Sequence, residues 1–119
     1  MAIKVYAEIG KLNHIGRVGE NKAETLVFDV SKIIDNLGTG GAFTLLIRQN
    51  GVLSTETGTN NLSYNSTNKI LEWNVTSDYT TAANRGKCQI VYQKTGGIII
   101  KSEVYDIIVT EACDEEGDE

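Results

Sequence analysis

The sequence predicts an all-β protein: an antiparallel sandwich of about 7–9 strands with one or two short helical turns. Three observations predict it. Apolar residues recur at every second position through most of the chain. Gly and Asn must make the turns, because the sequence has no proline and 12 glycines. A chain of 119 residues suits one hydrophobic core, able to bury roughly two-thirds of the surface it exposes when unfolded. The expected division is one sandwich domain over 1–110 and a flexible acidic tail over 111–119.

An opening strand is expected around 3–9. In 24–30, Leu26, Phe28 and Val30 share a face opposite Thr25, Val27 and Asp29. In 42–49, Phe43, Leu45 and Ile47 fall together. In 69–75, Leu71, Trp73 and Val75 oppose Ile70, Glu72 and Asn74, which puts the only tryptophan at the centre of the core. In 86–95, Cys88, Ile90 and Tyr92 oppose Lys87, Gln89, Val91 and Gln93. A closing strand covers 98–110. Asn50-Gly51 supplies the two positive φ angles of a two-residue type I′ hairpin, and Gly96-Gly97 offers the same between the last two strands. Such hairpins pair their strands antiparallel, which excludes a parallel α/β design for that half of the chain. Longer loops are expected at 38–41 and 57–61. Ser31–Leu37 reads as a helical turn with Ser31 as N-cap, its Ile33, Ile34 and Leu37 closing the open end of the core. Another short turn is expected within 76–84, begun by Ser77 or Asp78.

The net charge of −5 is unevenly placed. Six of the 16 acids lie in 111–119 with no base among them, leaving ten acids against 11 bases in 1–110. The body is therefore close to neutral, and its Lys and Arg are scattered along the sequence. No basic stripe of the kind that grips phosphates is legible, so no nucleic-acid partner is expected. The acidic run lacks the Asp-x-Asp-x-Asp-Gly spacing of a calcium loop. Of the two cysteines, Cys88 lies in a strand and Cys113 past the last one, so two free thiols are expected. The N-terminus shows no signal-peptide h-region, and no apolar run approaches the ~20 residues of a membrane span. No membrane partner is expected.

No catalytic set assembles from the sequence, and no enzyme, cofactor or metal is expected. His14 is the only histidine. A zinc site would need it together with both cysteines and a distant carboxylate, so it reads as an ordinary exposed residue. Cys88 points with Ile90 and Tyr92 toward the core, where a thiol is inert, which weakens any His/Cys nucleophilic pair. Asp29, Glu72, Asp78, Glu103 and Asp106 sit in no motif and read as solvated strand carboxylates. Gly38-Thr39-Gly40-Gly41 precedes a strand and lacks the pattern of a phosphate cradle. The five tyrosines fall on separate segments, with Tyr64 and Tyr79 placed on loops. A carbohydrate-binding or host-adhesion module is the alternative they leave open.

The last strand is apolar on both faces. Ile98, Ile100, Val104 and Ile108 fall on one, and Ile99, Tyr105, Ile107 and Val109 on the other. A strand with one wet face should alternate cleanly. The outer face is thus covered either by the protein's own chain or by another molecule, and Ile99, Tyr105, Ile107 and Val109 are the candidate interface.

Four segments occur in order: Arg17-Val18-Gly19-Glu20-Asn21 followed by Thr25-Leu26-Val27-Phe28-Asp29-Val30-Ser31; then Leu71-Glu72-Trp73-Asn74-Val75-Thr76-Ser77-Asp78; then Gly86-Lys87-Cys88-Gln89-Ile90; and finally Lys101-Ser102-Glu103-Val104-Tyr105-Asp106. Together, over about 15–110, they resemble a family of small phage tail and baseplate domains, related to the N-terminal domain of upper baseplate proteins from phages of Gram-positive bacteria. The resemblance implies an immunoglobulin-like sandwich with no catalytic residues. It also implies a structural place in the virion after synthesis in the bacterial cytoplasm, and partners among other tail or baseplate proteins, including further copies of itself. Two features depart from the family pattern. Ile33-Ile34 stands where a tryptophan often follows the Asp-Val-Ser, and Asn50-Gly51 where a proline-bearing stretch is usual.

Overall fold

A computed structural model describes residues 3–58 and 61–113. Part of the loop expected at 57–61, and the acidic run from Asp114 onward, lie outside these residues. The described chain forms β1 (Ile3–Tyr6), β2 (Leu12–Arg17), β3 (Glu24–Asp29), α1 (Ser31–Leu37), β4 (Ala42–Gln49), β5 (Val52–Thr57), β6 (Leu62–Asn65) and β7 (Ile70–Asn74). A 3-10 turn (Ser77–Tyr79), β8 (Asn84–Lys94), β9 (Ile98–Lys101) and β10 (Tyr105–Thr110) complete it. The expected all-β sandwich is what the chain forms. A sheet of order β1-β3-β7-β6 packs on a larger one of order β2-β10-β8-β4-β5, with β9 also paired to β8.

The alternation read from the sequence selects the inner faces. Leu26, Phe28, Leu71 and Trp73 meet Leu45, Ile47, Cys88, Ile90 and Tyr92 in one core, all nearly inaccessible to water. Trp73 stacks edge-on against Tyr79 (84°, 5.2 Å), and Phe28 does so against Tyr105 (71°, 5.0 Å). Val27 is buried although it faces outward, because the Lys4–Glu72 ion pair (3.2 Å) lies across β3 on that side.

Both sheets are mixed. Two pairings are parallel, β1 with β3 and β2 with β10, so the antiparallel rule read from the hairpins stops at the N-terminal strands. The side chain of Asn13, itself buried, holds this corner. Its amide donates to the carbonyls of Glu8, Lys11 and Asp106 (3.0, 3.1 and 2.9 Å), while its oxygen accepts from the Glu8 N–H (2.9 Å). Asn50 and Gly51 take the two positive φ angles expected of them (49° and 78°). The helix corrects one expectation. Its cap position is Val30, and Ser31 is its first residue. The Asp29 carboxylate, leaving β3, accepts the Ser31 N–H at 2.9 Å, and these Ser31 hydrogen bonds hold the Asp29 carboxyl below its ordinary range. Ile34 is buried against the core, and Ile33 and Leu37 are partly so.

Candidate interaction surface

The β8–β9 hairpin turns through Thr95, Gly96 and Gly97, both glycines at positive φ. It delivers β9, Ile98-Ile99-Ile100-Lys101, every residue of which is exposed. The isoleucines are 42%, 57% and 38% accessible. Among the described residues β9 pairs only with β8, so its other edge is open.

The ladder to β8 then slips. Lys101 pairs with Val91 and Tyr105 with Cys88, so three residues (102–104) oppose two (89–90). This one-residue bulge is closed by Ser102, whose N–H donates to the Ile90 carbonyl (2.9 Å) and whose hydroxyl oxygen accepts from the Ile90 N–H (3.0 Å). An extra residue inverts the facing of everything beyond it. Ile99 stays on the outer face, opposite Gln93, while Tyr105, Ile107 and Val109 turn inward and are 9%, 0% and 2% accessible. The candidate interface Ile99, Tyr105, Ile107 and Val109 is corrected accordingly: only Ile99 faces solvent, and the other three belong to the core. Strict alternation through Ser102-Glu103 hid the slip, and those two polar residues within an apolar run were its one sequence signal.

A trough lies on the outer face of the larger sheet, with Val104 of the bulge in its lining. One groove of about 360 Å³ is lined by Leu46, Leu53 and Val104 with Arg48, Lys87 and Lys101. A second, of about 530 Å³, shares Arg48 and Lys87 and adds Arg85 and Asp106. Of these four cations only Lys87 forms an ion pair among the described residues, to Asp106 at 2.7 Å. The cations scattered in sequence are therefore gathered in space. They stand on three strands, and cross-strand registers such as Arg48↔Lys87 and Val91↔Lys101 bring them together.

His14 is not the ordinary exposed residue expected. Its Nδ1 lies 2.9 Å from Glu24 Oε1 and its Nε2 2.8 Å from Thr110 Oγ1, while Arg17 Nη1 donates to the same hydroxyl at 3.3 Å. Carboxylate, imidazole and hydroxyl follow one another as in nucleophilic sites. Here the chain of bonds links β2, β3 and β10, fastening an edge of one sheet to the other around the buried Glu24. Cys88 is distant from it in register and sealed in the core, where burial pushes its thiol up to about 12, with Asp106 adding to the shift. Cys88 and Cys113 are both free. Among the described residues, no three His, Cys, Asp or Glu side chains come together as a metal site.

Tyr64 and Tyr79 do not make the loop-borne pair expected of them. Tyr64 lies on β6 against Phe43, and Tyr79 is buried with its hydroxyl donating to Glu56 at 2.6 Å. Tyr92 and Tyr105 are buried as well, leaving Tyr6 as the one largely exposed tyrosine among the described residues. Among the described residues no helix is long and apolar enough to cross a membrane. A scan against models of known protein families finds no match, and neither does a search of curated protein sequences.

Proposed function

We propose that this chain is a non-catalytic structural protein of a phage or prophage tail, an immunoglobulin-like module that joins other tail or baseplate proteins and further copies of itself. The observation that carries this reading is β9, three exposed isoleucines on a strand with one open edge. Natural sheets blunt such edges with charge, proline or a covering segment, because an open apolar edge pairs with other chains. Here the one charge is Lys101, at the end of the strand. Strand addition along β9 would satisfy its free backbone groups and cover its isoleucines together. The β-sandwich and the four ordered sequence segments agree with the tail-domain family they resemble. The polar set around His14 then serves the fold, as a clamp between sheets.

Solution mass tests the reading, measured by size exclusion with light scattering in about 0.5 M salt, where contacts between exposed charges are screened. The parent chain is expected to run above its monomer mass. Ile99→Lys, which leaves the core untouched, is expected to run as a folded monomer with unchanged circular dichroism. A parent that is monomeric under these conditions overturns self-assembly through β9.

A further inference from the structure

We infer that the trough on the outer face of the larger sheet receives the acidic segment 111–119 of a second copy of this chain, in a head-to-tail contact. The inference rests on the assembly reading and names the partner. In the lining of these two grooves Arg48, Arg85, Lys87 and Lys101 meet one carboxylate, Asp106, which Lys87 already engages. Leu46, Leu53 and Val104 lie between the cations. A positive rim over an apolar floor fits an extended peptide whose backbone and small side chains rest on the floor while its carboxylates reach outward.

The chain carries such a segment, with six acids and no base. Residues 1–110 are nearly neutral, so cations concentrated in the trough leave the rest of the body net negative. Two copies therefore repel face to face and attract head to tail. The strand direction favours a neighbour over the same chain. β10 advances along β8 from Tyr105↔Cys88 to Val109↔Asn84, so it leaves the sheet past Asn84 and away from Arg48 and Lys101. The lengths also agree. From Arg85 to Val91, the partner of Lys101, is about 20 Å of strand, and six extended residues reach about as far. Because the two patches differ, the contact is heterologous and leaves a free trough and a free segment at the two ends, so it propagates.

Sedimentation of the full chain at low and high salt, with two variants, tests this. The trough variant is Arg48→Glu with Lys101→Glu, both at exposed positions. The segment variant is Glu115→Gln, Glu116→Gln, Asp118→Asn and Glu119→Gln. The parent is expected to gain mass at low salt, with association about tenfold weaker in high salt. Each variant alone is expected to keep its high-salt mass at low salt, while folding as the parent does by circular dichroism. Mixing the two should restore the gain, since one supplies a working segment and the other a working trough. The inference is overturned by a parent whose mass ignores salt, or by a mixture that stays as its components are. An oligomer of the same mass at both salts that dissolves in Ile99→Lys would leave the β9 reading standing while this one failed.

Discussion

Asn13 shows how much one side chain carries at a sheet corner. It sits at a site 4% accessible to water, where its oxygen accepts one N–H and the two protons of its amide nitrogen are shared among three carbonyls. Asn13→Ala removes this shared partner of the Glu8, Lys11 and Asp106 backbone and is expected to cost about 1–3 kcal/mol in urea unfolding. Asn13→Asp keeps the shape but sets a carboxylate against three carbonyl oxygens. It should cost about 3 kcal/mol or more at neutral pH, exceeding the alanine variant. The order between the two separates a lost bond from a buried repulsion. The aspartate's deficit should also shrink on acidification, because its folded-state affinity for a proton is raised and the protonated acid can donate one bond again. Gly86 makes a steric point of the same size. A Cβ there would stand 2.5 Å from the Arg48 carbonyl oxygen and 3.4 Å from Ile107 Cγ1, so Gly86→Ala must push β4 from β8 and is expected to lose about 1–3 kcal/mol.

At the scale of elements, the bulge at 102–104 decides what β9 and β10 can do. Without the extra residue, one register would have to serve a strand whose outer half is exposed and whose inner half fills the core. Deleting Glu103 forces that choice. Tyr105, Ile107 and Val109 bury far more apolar surface than Ile98, Ile99 and Ile100, so β10 should keep its place and β9 should slip by one residue against β8. Amide hydrogen exchange is expected to show protection lost over 91–101 and retained over 84–88 and 105–109. Loss of protection throughout β10 would mean that the bulge holds the core and not only the hairpin. The strands themselves were legible because a core face writes itself as alternation. The bulge was not, because a slip adds one residue without breaking the apolar run. Ser31 is not the cap that its residue type suggests, because the helix begins one residue earlier and the Asp29 carboxylate accepts the Ser31 N–H.

At the scale of the molecule, what the sequence could not disclose is what only tertiary register creates. Arg48, Arg85, Lys87 and Lys101 span half the chain yet share a face, and His14, Glu24 and Thr110 form one chain of bonds across both sheets. The shared core has a pH signature that follows from the same packing. Burial raises the Cys88 thiol from an ordinary 9.0 to about 12, and it raises the Tyr79 and Tyr105 hydroxyls as well, Tyr79 aided by its bond to Glu56. Each of these groups keeps its proton in the folded protein at a pH where the unfolded chain has begun to lose it. Their contribution is thus complete below about pH 9, and for Cys88 it is lost progressively as the pH rises toward 12. The urea midpoint is expected to hold through neutral pH and fall above about pH 9, with a shallower fall in Cys88→Ala. Thiol alkylation reads the same core directly. Cys113 is exposed and Cys88 is 2% accessible, so iodoacetamide at neutral pH should modify one thiol quickly. The second should react only at the rate at which the whole sandwich opens. Two thiols reacting together in the native protein would show that the sheets part locally around Cys88, and that the core does not open as one unit.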